Sequence, residues 1–80
     1  MANVIITGGS RGIGAAAVTQ FAAKGHRVFF LYEKNHTAAQ AVAEKTGATA
    51  LCCDVSDGAA VTAAFQKIGD VDILICNAGI

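Results

Sequence analysis

The sequence predicts an α/β fold in which four parallel strands form a doubly wound sheet in the order 3-2-1-4. Two observations carry the prediction. Short β-branched runs alternate with Ala-rich stretches of helical period, giving β-α-β-α-β-α-β. The apolar runs are also continuous rather than alternating, as strands covered on both faces require. Right-handed crossovers through the intervening helices then make the strands parallel.

The first strand is Asn3-Val4-Ile5-Ile6-Thr7, stopped by Gly8-Gly9. From Gly12 the period becomes 3.6, because Gly14, Ala17, Val18, Phe21 and Ala22 fall on one helical face, with Gly25 as the residue just past the helix end. The second strand covers 27–32, Arg27-Val28-Phe29-Phe30-Leu31-Tyr32. Thr37-Ala38-Ala39-Gln40 has the form of a capping box, which predicts a second helix over 38–46, before Gly47. Thr49 to Cys53 reads as the third strand. Ser56 or Asp57 then caps a third helix that buries Ala60, Val61, Ala64, Phe65 and Ile68 and ends at Gly69. The fourth strand covers 71–76 and is closed by Asn77-Ala78-Gly79.

Composition narrows the function classes. The 80 residues are 54% hydrophobic and 15% charged, with six basic and six acidic side chains and no formal net charge. Such a thin, balanced distribution offers no basic field to hold a nucleic-acid backbone. No run reaches the roughly 18 apolar residues of a membrane span, and the first residues lack the basic start of a secretory signal. The expected compartment is the cytoplasm. Three cysteines, with Cys52-Cys53 pointing to opposite faces of a strand, imply neither a disulfide framework nor a metal site. His26 and His36 have no partner at metal-ligand spacing and are expected as surface residues. So small a chain buries only about 60–65% of the surface its unfolded form exposes, so that hydrophobic gain and ordering entropy nearly cancel, which makes it either a part of something larger or dependent on a partner.

Chemistry is concentrated in Thr7-Gly8-Gly9-Ser10-Arg11-Gly12-Ile13-Gly14, between the first strand and the first helix. Gly8 lets the chain turn off the strand, Gly12 lets backbone amides approach a pyrophosphate, and Gly14 lets the helix pack close to the sheet. The free amides and positive dipole end of that helix then face the phosphates. A loop that merely turns the chain is the competing reading, and its placement between strand and helix argues against it.

The pattern T-G-x-x-x-G-x-G resembles the short-chain dehydrogenase/reductase family. Asn77-Ala78-Gly79 at the end of the fourth strand is similar to that family's N-N-A-G signature, with Cys76 in place of the first Asn. Asp54-Val55 after the third strand matches the segment that lies against the adenine in this family, the carboxylate accepting from its exocyclic amine. Asp54 can equally serve a turn or cap. The resemblance covers the whole chain. It implies a Rossmann-type, doubly wound sheet that is cut short, with residues 1–80 as the N-terminal dinucleotide-binding half of the domain. It also implies that Asn77 and Gly79, beside Ala78, border the nicotinamide-side ribose.

An acidic side chain ending the second strand would accept from both ribose hydroxyls and repel a 2′-phosphate, selecting NAD(H). The resemblance places Tyr32 there, and places Arg11 beside a 2′-phosphate. Both favour NADP(H). Glu33 can take the acidic role if the strand ends one residue later, whereas Lys34 can neutralise phosphate instead, so the balance is one of competing charges. Arg11, Glu33 and Lys34 can also be read as a solvated loop.

The family's acid–base chemistry uses a Tyr-x-x-x-Lys pair and a Ser on later segments. Tyr32 is the only Tyr here and has His36 rather than Lys four residues on, so no catalytic residue is assigned. The expected function is the cofactor-binding portion of an oxidoreductase that acts on a small-molecule carbonyl or alcohol once complete. The alternative is a non-catalytic nucleotide-binding or interaction module. In either case the order 3-2-1-4 leaves the fourth strand as an edge. With one helix on one face and two on the other, it predicts an apolar patch over the first and fourth strands that a second copy or a partner chain covers.

Overall fold

The computed structural model describes residues 2–8, 12–54 and 56–76. Its elements run β1 (Asn3–Thr7), α1 (Gly12–Ala23), β2 (Arg27–Tyr32), α2 (His36–Thr46), β3 (Thr49–Cys52), α3 (Gly58–Ile68) and β4 (Ile73–Cys76). All strand pairs are parallel, and the order is β3-β2-β1-β4 as expected. Ile5 aligns with Phe29 on one side and with Leu74 on the other.

Alternation along the strands divides the apolar residues between two layers. Val4, Ile6, Val28 and Phe30 point to the face covered by α1 and α2, where they join Val18 and Ala39. Ile5 and Leu31 point to the other face, where Ala64 and Ile68 of α3 meet them together with Cys53. Phe30, Ile5, Ile6, Leu31, Val4 and Val18 are all below 2% exposed, and each such side chain contributes about 1.5–3 kcal/mol relative to an exposed position.

The exposed patch is narrower than expected. Ile5 in β1 is completely buried, because α3 reaches across β1, and among the described strand residues only Leu74 in β4 is a markedly exposed large hydrophobe, at 48%. β4 remains an edge. Cys52 is exposed and Cys53 buried, as opposite strand faces dictate.

Three boundaries differ from the sequence reading. α2 begins at His36, because Asn35 rather than Thr37 is the cap: its Oδ1 accepts from the Ala38 amide at 3.0 Å. Gln40 consequently points along the helix to Glu44 instead of back to a cap. β3 stops at Cys52, although the Cys53 amide still donates to the Tyr32 carbonyl at 2.7 Å. β4 starts at Ile73 because Asp72 is engaged with the start of β1, its carboxylate accepting from the Asn3 amide at 2.8 Å. Asp57 is the α3 cap, its carboxylate accepting from the Ala59 and Ala60 amides.

His26 departs from the surface role expected of it. It is half-buried, its Nδ1 accepts from the Ala2 amide at 3.0 Å, and its ring lies 5.9 Å from that of Phe21. It ties the entry to β1 to the turn after α1.

Candidate functional site: the carboxyl edge of the sheet

A parallel sheet places the carboxyl ends of its strands along one edge, and ligands of such sheets bind where the strand order reverses. Here the reversal falls at β1, which has β2 on one side and β4 on the other. The glycine turn leaves the sheet at this point. Gly8, with φ 70°, follows β1 directly, and its amide donates to the Leu31 carbonyl at 2.9 Å, holding the start of the turn against the end of β2.

Gly12 opens α1 with φ 66°, a backbone conformation that side chains disfavour. A Cβ there would meet no protein atom within 4 Å, so the space beside this residue is open. Gly14 is buried two residues further on, and Ile13 between them is 80% exposed, an unusual placement for so large an apolar side chain. The first turn of α1 holds no acidic residue to neutralise its amino end. Open space at a glycine, at the amino end of a helix with no acidic residue in its first turn, fits the phosphates of a dinucleotide. Gly9, Ser10 and Arg11, in the middle of the turn, lie outside the described residues, as do Val55 and Asn77, Ala78 and Gly79.

The ends of β2 and β3 bring the next group of expected residues together. Tyr32 is half-buried, with Glu33 and Lys34 exposed in the turn after it. Asp54 follows β3, where its Oδ1 accepts from both the hydroxyl of Ser56, at 2.7 Å, and its amide, at 2.9 Å. These two bonds, hydroxyl first, and then the charge of Lys34 hold the Asp54 carboxyl below the usual carboxylate value. The turn role considered for Asp54 is therefore realised. Cys52 donates its thiol hydrogen to the Glu33 carbonyl at 3.6 Å, joining the same two loops. Burial, followed by the charges of Asp54 and Asp57, pushes the Cys53 thiol up.

One contact at this edge was not foreseen. The Tyr32 hydroxyl lies 2.9 Å from Nδ1 of His36, and the two rings meet edge-on. The four-residue spacing across a short turn was the only sequence signal for it. Among the described residues no three His, Cys, Asp or Glu side chains gather as metal ligands, and no helix is long and apolar enough to cross a membrane.

Comparison with known proteins agrees with this geometry. A family model described as short chain dehydrogenase matches residues 2–80. The cyclic-di-GMP-binding biofilm dispersal mediator protein of Escherichia coli is 49% identical over 77 residues, covering 96% of this chain. A D-xylose 1-dehydrogenase of Caulobacter vibrioides is 40% identical over 80 residues, covering 95% of it. The chain spans 32% of the length of each. Among solved structures, BdcA in complex with NADPH superposes with a TM-score of 0.93 at 48% identity, covering 99% of this chain and 32% of that one. A short-chain dehydrogenase from Burkholderia cenocepacia in complex with NADP gives 0.87 at 42% identity, covering 96% of this chain and 35% of that one.

Proposed function

Because the chain belongs to the short-chain dehydrogenase family, we propose that it is the NADP(H)-binding portion of an oxidoreductase that interconverts a small-molecule carbonyl and alcohol. The observation that carries this reading is the glycine turn at the point of strand reversal, with open space at Gly12 on the amino end of α1. The NADPH and NADP complexes of similar structures support it.

In this reading Gly8, Gly9, Ser10, Gly12, Ile13 and Gly14 line the pyrophosphate, with backbone amides as the donors and glycines as the space. Arg11 and Lys34 supply positive charge for the ribose 2′-phosphate. Tyr32 leaves the end of β2 neutral, and Glu33, one residue later, directs its charge to solvent. Asp54, whose two bonds to Ser56 both fall on Oδ1, presents its other oxygen to the adenine amine beside Val55. Asn77, Ala78 and Gly79 border the nicotinamide-side ribose. The bound cofactor supplies hydride transfer. The residues of this chain bind and orient it and take no part in moving the carbonyl proton. We assign that step to a Tyr, a Lys and a Ser on segments beyond this third of the family's length.

The test is a titration of the intact protein with NADPH and NADH. Saturable binding of both, tighter for NADPH, is expected. Absence of binding by a folded protein removes the reading.

A second reading, a non-catalytic nucleotide-binding module, is favoured by the name of the 49% identical relative, a cyclic-di-GMP-binding mediator. A cyclic dinucleotide also brings two phosphates and purine faces to such a site. Competition separates the two: cyclic-di-GMP that displaces NADPH, without turnover of any carbonyl substrate, favours the module. We also infer that β4, an edge strand with Leu74 half exposed, is completed by further strands, from the same polypeptide or a second chain.

A further inference from the structure

The turn after β3 holds a carboxylate by one of its two oxygens. Asp54 is exposed beyond the end of the strand, and its Oδ1 accepts from the Ser56 hydroxyl at 2.7 Å and from the Ser56 amide at 2.9 Å. The Asp54 carbonyl accepts in turn from the Asp57 amide at 2.9 Å, so the backbone closes the same turn. A carboxylate oxygen has two lone-pair sites. The two bonds from Ser56 therefore fill Oδ1 and leave Oδ2 as the oxygen that a ligand can use.

The group is also kept an acceptor. The Ser56 hydroxyl, the Ser56 amide and then the charge of Lys34 hold the Asp54 carboxyl below its usual value, so at neutral pH it has no proton to donate. The turn supplies no second acceptor in place of the filled oxygen, because the carboxylate of Asp57 accepts from the Ala59 and Ala60 amides at 3.1 and 3.3 Å.

Purines differ in what they offer to a single carboxylate oxygen. Adenine presents a 6-amine, whose hydrogen one oxygen satisfies. Guanine and hypoxanthine carry at position 6 a carbonyl, which a carboxylate repels, and beside it an N1–H. Guanine adds a 2-amine, and its two adjacent donors are matched by a carboxylate when both oxygens are free. Resting on the dinucleotide reading above, we infer that Ser56 determines base specificity: by filling Oδ1 of Asp54 it leaves one oxygen for the base, which suits the amine of adenine and denies guanine a two-point contact. Ser56 is in this role a positioning residue that acts through Asp54. Its hydroxyl is the part that a substitution removes, since the amide remains with any other side chain.

The test uses the intact protein and three probes, NADP and its analogues with hypoxanthine or guanine in place of adenine. The wild type is expected to bind NADP at least about tenfold more tightly than either analogue. Ser56→Ala frees one acceptor site on Oδ1 and should tighten the guanine analogue about tenfold, with a smaller change for NADP. The hypoxanthine analogue, which has the N1–H but no 2-amine, should gain nothing. Ser56→Thr restores a hydroxyl and should restore the wild-type order. Asp54→Asn keeps an oxygen for Ser56 and turns an amide nitrogen to the base, so the hypoxanthine analogue should gain on NADP. An equal change for all three probes in Ser56→Ala is what a merely structural role predicts, and it overturns the assignment. So does a hypoxanthine analogue that gains as much as the guanine one, an Asp54→Asn variant with the wild-type order, or a wild type that binds the guanine analogue as well as NADP. These results leave the dinucleotide site standing, whereas failure of NADP to bind the folded wild-type protein overturns both.

Discussion

Two glycines allow the phosphate turn to be tested with an internal control. Gly12 opens α1 at φ 66° and Gly47 closes α2 at φ 78°, and a Cβ at either position meets no protein atom within 4 Å. Alanine at either site is therefore free of steric clash and carries only the strain of a left-handed backbone, about 1–2 kcal/mol. The two variants should lose similar stability in urea without ligand. They differ in position, because Gly47 precedes β3 at the amino edge of the sheet, whereas Gly12 lies on the turn at the carboxyl edge. On the phosphate reading, the methyl of Gly12→Ala stands where the pyrophosphate approaches, and displacing one amide–phosphate hydrogen bond of about 1.5–3 kcal/mol weakens binding about 10- to 100-fold. Calorimetric titration with NADPH reads this directly, with Gly47→Ala binding as the wild type does. If Gly12→Ala and Gly47→Ala bind NADPH equally well, the space at Gly12 is not the phosphate site and the reasoning from the glycine turn fails.

Three further outcomes are expected. The Asp54 carboxyl is held below its ordinary value of 3.8 by Ser56 and Lys34, so the stability it contributes is present above that value and is lost as pH falls through it toward the folded-state value. Ser56→Ala should shrink the drop in urea midpoint between neutral and acid pH, and an identical drop would show that the turn does not govern this titration. Cys53, whose thiol is pushed up by burial and by Asp54 and Asp57, should be alkylated later than the exposed Cys52 and Cys76 when labelled peptides are mapped over time. Phe30→Ala, at a completely buried position, should cost about 3–5 kcal/mol in denaturant unfolding, whereas Leu74→Ala, at a half-exposed one, should cost under about 1 kcal/mol.

The sequence showed the sheet because its signals are local and redundant. β1 and β2 have the expected limits, since each is a continuous β-branched or aromatic run with a glycine or a polar turn at its ends. The start of α2 was misplaced because Asn35 and Thr37 are both competent caps, and the choice depends on where the chain leaves β2. The patch over β1 was overestimated for a tertiary reason: whether one helix covers one strand or two depends on its crossing position, which periodicity does not encode. The glycine turn was legible because positive φ and a close helix start demand a particular residue type. The Tyr32–His36 contact was not, since it depends on the rotamers of two side chains on either side of a turn. The same holds for His26, whose role comes from an amide 24 positions away in sequence.

The fold and the candidate site have one physical origin. Right-handed crossovers between parallel strands bring every strand's carboxyl end, and the amino end of every following helix, to the same edge. That edge gathers unsatisfied amides and partial positive charge whatever the side chains are. In α2 and α3 the amides are met from within the chain, by Asn35 at the first and by Asp57 at the second. The first turn of α1 has no acidic residue, and its opening residue is a glycine with open space beside it. The helix adjoining the point where strand order reverses thus opens on a glycine with free space beside it, and in the reading proposed above a phosphate meets its amino end. Reversing this distribution should move the property: an Asp introduced as Ile13→Asp, on a side chain already 80% exposed, places a carboxylate in the first turn of α1. The dipole term favours that carboxylate by about 0.3–1 kcal/mol, so the folded state is preserved or slightly stabilised while the phosphate meets a like charge. Unfolding and NADPH titration should therefore move in opposite directions, and a variant that loses stability and affinity together would show that this helix end is not an anion site.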